Sequence, residues 1–183
     1  FPPPGIDARD SYFAVEVPKE KKGSRRYMGL MAPGTSHSTL MVRLYAAVLQ
    51  RTSEMEGDSA VKDPYWSLLG YFNSLRVLGA ARMQARDDVC DRIEVLASAS
   101  GNPVRLTSDG LDLIEMTSRV DSSDIPKNLD RMSVTRDEAD CLDIILATNM
   151  ISVGVDVDRL GLMAVMGQPQ SSSEYIQATS RVG

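Results

Sequence analysis

Two short apolar runs near the end of the chain, residues 143–147 and 162–166, enclose a small polar turn. Each run is followed at once by a turn-forming or hydroxyl residue, Thr148 and Gly167 respectively. Runs of this length and ending are typical of buried parallel strands that carry functional loops at their carboxyl ends. The last forty residues therefore predict part of an α/β sheet with a site along one edge.

The rest of the chain alternates between predicted strands and amphipathic helices. Apolar residues recur at helical spacing over 38–50, and again from residue 75 to residue 89, where one long helical pattern is expected. Apolar runs that favour strands occupy residues 26–31, 66–72 and 111–117. This alternation predicts an α/β fold in which a parallel sheet is flanked by helices.

Turn and capping residues predict where several of these elements begin and end. A turn at 32–36 ends in helix-capping residues, and residues 51–64 are polar enough to predict a surface loop. Ser74 is expected to cap the helix that follows residue 72, and a helix is expected to begin near Pro126. Residues 91–98 are compatible with either a continued helix or a short strand.

Size, composition and charge favour a single globular domain. A chain of 183 residues can bury a sizeable core, and we expect an arm or linker at 1–26 and one domain at 27–183. The basic cluster at 19–26 fits a solvated linker or a phosphate-facing stripe. No apolar run reaches the roughly 20 residues that span a bilayer, so no membrane association is expected.

The two cysteines and the net charge exclude further classes of site. Cys90, Cys141 and His37 are far apart in sequence, which predicts no metal site and a cytoplasmic location. The net charge of −5 and the pI near 4.9 argue against a protein that binds nucleic acid by overall electrostatic attraction. Contacts with phosphate, if made, must be local.

The terminal segment resembles motifs V and VI of superfamily 2 helicases, in their second RecA-like domain. The resemblance lies in Ala147-Thr148-Asn149, Gly154-Val155-Asp156-Val157, Tyr175-Ile176-Gln177 and Ser180-Arg181-Val182-Gly183. The amino-acid sequence of this segment is similar to that of the helicase of the bacterial DISARM anti-phage system. The resemblance implies a RecA-like fold of the P-loop NTPase type and an ATP-dependent helicase or translocase.

On the nucleotide side, the resemblance assigns roles to three residues. Arg181 matches the first motif VI arginine and is the expected catalytic residue, while Gln177 and Asp156 match positions that bind the nucleotide. ATP and Mg²⁺ are expected in the intact protein, held mainly by the first RecA-like lobe of the same polypeptide, which is the expected partner. No cofactor is expected to be held by the chain alone.

The resemblance also implies contacts with the backbone of DNA or RNA. The sequence Tyr71-Phe72-Asn73-Ser74-Leu75-Arg76 resembles helicase motif IV, and residues 118–119 occupy the place of a further contact between motifs IV and V. The expected nucleic-acid-binding residues are Asn73, Ser74, Arg76, Ser118, Arg119, Thr148, Asn149 and Gly154. Defence-system subunits are further expected partners.

The 183 residues lack the phosphate-loop pattern G-x-x-x-x-G-K-[ST]. The tetrapeptide at 137–140 spells the DEAD box but precedes a predicted strand, whereas the magnesium-binding box ends one. We therefore expect an excised C-terminal lobe, ending one residue before a second motif VI arginine, that does not turn over ATP alone. The alternative is a non-catalytic Rossmann-like module that binds a protein partner.

Overall fold

The computed structural model describes residues 15, 17–18, 20–21, 23–107, 109–148 and 157–182. The chain divides into two units, Phe1–Met31 and Ala32–Gly183. A boundary after residue 26 stays a prediction.

In the first unit, the described residues are exposed and form turns and irregular segments. The backbone N–H of Lys21 donates to the carbonyl of Pro18 at 2.9 Å, which closes a turn inside the basic cluster. The strand predicted at residues 26–31 is not formed. That prediction was wrong because an apolar run becomes a strand only with a hydrogen-bonded neighbour and a buried face, and Met28 and Met31 are 76% and 92% exposed.

The second unit is built around a parallel four-stranded sheet. Its strands follow the order β2-β3-β1-β4. They are β1 (Leu68–Phe72), β2 (Leu113–Met116), β3 (Ile144–Ala147) and β4 (Met163–Met166). β1 and β3 are fully buried central strands, which explains their uninterrupted apolar sequence.

Six helices accompany the sheet among the described residues. They are α1 (His37–Glu54), α2 (Ser59–Trp66), α3 (Leu75–Arg86), α4 (Asp88–Ser100), α5 (Ile125–Ser133) and α6 (Ser172–Thr179). Buried residues of α1, α3 and α4 pack with one set of strand side chains, and buried residues of α5 and α6 pack with the other. Because successive strand residues point to opposite faces, the sheet is covered on both sides.

Capping residues confirm several predicted helix starts and show how α4 ends. The side chains of Ser36 and Ser74 accept hydrogen bonds from the backbone N–H three residues later, as expected of N-caps. Gly101 ends α4 in the left-handed conformation, with φ of 72°. Pro126 lies in the first turn of α5, where its missing N–H costs no helical hydrogen bond.

Two further predictions of local structure were wrong. Residues 51–64 do not form one surface loop, because α1 continues to Glu54 and Asp58 caps α2 through the N–H of Val61 at 3.1 Å. The long helical pattern from residue 75 is broken at Asp87, where α3 ends and α4 begins. The ambiguous residues 91–98 are helical within α4.

Candidate functional site

The strand register brings the predicted site residues to one edge of the sheet. Met116 and Tyr71 are both level with Ala147 of β3, so the residues that follow β1, β2 and β3 emerge side by side. Phe72 is level with Met166, which places Asn73 beside Gly167 at the same edge. Because all strands run parallel, this edge collects the carboxyl ends, where α/β sheets bind ligands.

Thr148 and the loop after β2 form one part of this carboxyl edge. The N–H of Thr148 donates to the carbonyl of Met116 at 3.4 Å, and the residue is only 5% exposed. The hydroxyl of buried Thr117 accepts from the N–H of Arg119 at 3.2 Å. This turn leaves Ser118 and Arg119 exposed, with an arginine beyond the end of an edge strand.

The junction of β1 and α3 forms the second part. Ser74 is exposed and caps α3 through the N–H of Val77 at 3.3 Å, while Arg76 lies exposed in the first helical turn. The Asn73 amide nitrogen donates to the carbonyls of Gly167 and Gln168 at 3.0 and 3.2 Å. The free N–H groups of a helix start and a nearby guanidinium can together hold a phosphate.

Helix α6 follows the carboxyl end of β4 and carries the remaining predicted residues. Ser171 caps it by accepting from the N–H of Glu174 at 3.2 Å, and Ala178 packs into the core. These contacts fix the rotation of the helix, which leaves Gln177 exposed and Arg181 half-buried just after its last turn. A guanidinium so placed is permanently charged and offers forked donors to phosphate oxygens.

A buried tyrosine joins α6 to the central strand. The hydroxyl of Tyr71 in β1 donates to the Glu174 carboxylate at 2.8 Å. Burial, together with this carboxylate, raises the pKa of Tyr71 to about 12. Tyr71 therefore remains a neutral donor throughout the physiological pH range.

Three predicted site residues, Asn149, Gly154 and Asp156, lie outside the described residues. The predicted residues at the end of β1 and in the loop after β2 lie at the carboxyl edge together with Thr148, whereas Gln177 and Arg181 lie in and just after α6, the helix that follows β4. The individual roles predicted for them stay predictions.

Sequence reasoning missed a charged network at the opposite, amino end of the strands. The Arg105 guanidinium is fully buried and pairs with the carboxylate of Asp143 at 2.9 Å. It also donates to the carbonyls of Leu49, at 2.9 Å, and Trp66. Burial lowers the pKa of Arg105, whereas the carboxylate of Asp143 opposes that change. The one sequence feature that could have indicated this ion pair is Asp143, a charged residue at the start of an otherwise apolar buried run.

Arg159 forms the second part of this amino-end network. Its guanidinium donates to the carbonyl of Met132 at 2.9 Å, to the carboxylate of Asp63 at 3.2 Å and to the hydroxyl of Ser67 at 2.6 Å. The partners come from α2, α5 and the residue before β1, so one side chain ties together three segments. Nothing local in the sequence predicts this arrangement.

Trp66 lies between two cations at this end of the sheet. The guanidinium carbons of Arg105 and Arg136 are 4.0 and 4.6 Å from its ring centroid. These contacts make Trp66 an anchor of the fold.

The tetrapeptide at 137–140 also lies on the amino side of β3, away from the carboxyl edge. The carboxylate of Glu138 accepts from the N–H and the hydroxyl of Thr135 at 3.0 and 2.8 Å, and these bonds lower its pKa.

Over the described part of the chain, no group of three or more His, Cys, Asp or Glu residues could hold a metal ion. No helix there is long and apolar enough to cross a bilayer.

The chain is 46% identical over 187 aligned residues to the DISARM protein DrmA of Bacillus paralicheniformis. The match covers the whole of this chain and 16% of that protein, so the chain spans about a sixth of the relative's length.

Among solved structures, the C-terminal part of the Fun30 ATPase domain superposes with a TM-score of 0.50 and 11% identity, over 84% of this chain and 39% of that one. The Mycobacterium smegmatis helicase Lhr bound to ssDNA and AMP-PNP superposes with a TM-score of 0.45 and 17% identity, over 79% of this chain and 14% of that one. The first of these likenesses supports the RecA-like fold.

The family described as the helicase conserved C-terminal domain matches residues 89–183, which include β2, β3, β4 and α6. The match thus covers more than half of the chain and the carboxyl-edge segments after β2, β3 and β4. The chain belongs to the helicase conserved C-terminal domain family.

Proposed function

We propose that this chain is the second RecA-like lobe of an ATP-dependent superfamily 2 nucleic-acid helicase or translocase. The observation that carries the proposal is the shared carboxyl edge. There the residues that follow β1 and β2 bring the exposed Arg76 and Arg119 to the same edge of the sheet from sequence-distant segments, and α6, the helix that follows β4, leads to Arg181. In a two-lobed motor, such an edge faces both the nucleotide and the polymer.

The polymer is DNA or RNA, and it contacts the chain through its phosphates. Ser74, Arg76, Ser118 and Arg119 are all exposed at this edge, and the helix start adds backbone N–H groups and a partial positive charge. Because these contacts recognise phosphate, they are independent of base sequence. They are also local, which reconciles them with the net charge of −5.

The nucleotide is ATP, and Arg181 is the residue that stabilises charge developing on its γ-phosphate. Gln177 is exposed on the same helix and contributes to nucleotide placement. Mg²⁺ and most phosphate contacts are assigned to the first lobe, because the pattern G-x-x-x-x-G-K-[ST] that cradles phosphates does not occur in these 183 residues. When bound, Mg²⁺ neutralises phosphate charge, while the present chain supplies the arginine.

The similarity to a DISARM protein motivates a proposal about pathway and partners. We propose that the intact protein is a bacterial, cytoplasmic component of an anti-phage defence system and that it assembles with other defence subunits. The first RecA-like lobe of the same polypeptide is its obligatory catalytic partner.

The test uses the intact protein, whose ATP hydrolysis is measured with and without single-stranded DNA and RNA. Arg181→Ala is expected to lower kcat by about a hundredfold, the scale observed when one donor to a transition-state charge is removed. Nucleic-acid binding should persist. Arg86→Ala, an exposed arginine at the end of α3, is the matched control and should retain activity.

Unchanged hydrolysis by Arg181→Ala would remove this residue from the nucleotide site. If the intact protein hydrolyses no ATP under any of these conditions, the proposal fails, and the non-catalytic Rossmann-like interaction module becomes the better description.

A further inference from the structure

The geometry points to Tyr71 as a positioning residue that couples nucleic-acid binding at the start of α3 to α6, the helix leading to Arg181. This inference rests on the function proposed above. It concerns communication within the lobe, whereas the proposed function concerns what the lobe binds and does.

The end of β1 holds the α6 region at two points. The Tyr71 hydroxyl donates to Glu174 in the first turn of α6 at 2.8 Å. The Asn73 amide donates to the carbonyls of Gly167 and Gln168, which lie in the connection between β4 and α6. One short segment therefore forms hydrogen bonds with both the helix and the loop that leads into it.

The same segment continues directly into the candidate phosphate site. Ser74, the N-cap of α3, is three positions after Tyr71, a span of about 10 Å in an extended chain. A shift of the α3 start on binding a phosphate must therefore move the backbone that carries Tyr71. Tyr71 itself is buried in the core, so its ring cannot absorb the shift by changing rotamer freely.

At the other end, Glu174 is seven residues before Arg181, about two helical turns or 10 Å. Because helical hydrogen bonds join residues 172–179, this segment moves as one body rather than bending at each residue. A displacement of Glu174 therefore changes where the Arg181 guanidinium lies.

The contact between Asn73 and the connection from β4 to α6 is sterically tight. Gly167 has φ of 80°, a conformation that favours glycine, and a Cβ added there would lie 3.3 Å from the Asn73 amide nitrogen. The connection between β4 and α6 thus approaches the end of β1 as closely as its backbone allows. Asn73 is also a predicted nucleic-acid contact, so Tyr71 rather than Asn73 carries the test.

The experiment measures, in the intact protein, the ratio of ATPase kcat with single-stranded DNA or RNA oligonucleotide to kcat without it. Tyr71→Phe removes only the hydroxyl. It is expected to lower this ratio at least about fivefold, the lower end of typical coupling between sites, while the basal rate is retained. Glu174→Ala should act alike, and Glu174→Gln should restore the ratio because an amide oxygen still accepts the hydrogen bond.

Tyr45→Phe is the matched control. Tyr45 is equally buried, and its hydroxyl has no hydrogen-bond partner in the part of the chain that the structure describes. Its removal should leave the ratio unchanged. Thermal unfolding of each variant verifies that the domain is folded.

An unchanged ratio in Tyr71→Phe overturns the inference alone, provided that hydrolysis is stimulated by nucleic acid and depends on Arg181. Equal losses of basal and stimulated rates, or equal effects of Tyr71→Phe and Tyr45→Phe, also overturn it, since either outcome indicates a packing role. Absence of ATP hydrolysis in the unaltered protein overturns the proposed function together with this inference.

Discussion

The two ends of the sheet use charged side chains in opposite ways. At the amino end, Arg105 is buried and Arg159 is half-buried, and their guanidinium groups donate to Asp143, Asp63 and backbone carbonyls. At the carboxyl end, Arg76 and Arg119 lie exposed at the starts of loops and helices. The amino end thus contributes to holding the fold, and the carboxyl end keeps charge available for a ligand.

The difference follows from the free energy of desolvation, which is unfavourable for a buried guanidinium and small for an exposed one. A buried guanidinium is tolerated only when its donors are satisfied, and such a pair then constrains the segments that supply it. An exposed guanidinium remains hydrated and can exchange water for phosphate oxygens. Substitutions at the two ends should therefore separate stability from binding.

The largest expected effect on stability is at the amino end. Asp143→Ala leaves the fully buried Arg105 guanidinium without its carboxylate and should lower the free energy of unfolding by about 3 to 5 kcal/mol. Chemical denaturation of the 183-residue chain measures this change. The control is Asp112→Ala, whose ion pair with Arg131 is 2.5 Å long but about 40% exposed, and whose loss should cost within about 1 kcal/mol. Equal effects of the two substitutions would contradict the structural role of the amino end.

An intermediate effect is expected at Ser74, where capping and phosphate binding coincide. Ser74→Ala should lower the free energy of unfolding by about 1 kcal/mol, because the N–H of Val77 loses its acceptor. Ser74→Asp keeps an equally good cap but places a negative charge where a phosphate would bind. It should therefore retain stability and weaken binding of a fluorescent single-stranded oligonucleotide. Unaltered affinity in Ser74→Asp would leave Ser74 a cap only.

The smallest effect on stability is expected at Arg119. This side chain is exposed, so Arg119→Ala should change the free energy of unfolding by less than about 0.5 kcal/mol. In the intact protein, it should weaken nucleic-acid binding equally for all base sequences and reduce the slope of log affinity against log salt by about one. Arg86→Ala should leave that slope unaltered. A large loss of stability in Arg119→Ala would place Arg119 with the amino-end arginines.

Local sequence predicted the elements whose energetics are local. The apolar runs of β1, β2, β3 and β4 and the capping serines Ser36 and Ser74 were all identified, since strand burial and helix capping depend on a few adjacent residues. The errors lie where local signals compete. Polar residues around 51–64 resemble a loop, yet Asp58 at their centre is an N-cap.

The candidate site residues after β1, β2 and β3 came from the resemblance to helicase motifs, and their individual roles stay predictions. The parallel sheet explains why the residues that follow these strands lie at one edge. The hydrogen bonds of Asn73 to Gly167 and Gln168 could not be predicted, because they join residues 94 and 95 positions apart. The contact between Tyr71 and Glu174 spans 103 positions for the same reason.

By itself, the sequence determined the four strands of the sheet, several helix starts, the parallel arrangement and the motifs that identify the family. Only the tertiary structure decided which charges are buried and which are available. Arg105 and Arg119 are the same residue type, yet Arg105 meets Asp143, 38 residues away, whereas Arg119 lies exposed in the loop after an edge strand. The free energy of a charge depends on solvent and partners brought together by folding, which no local pattern specifies.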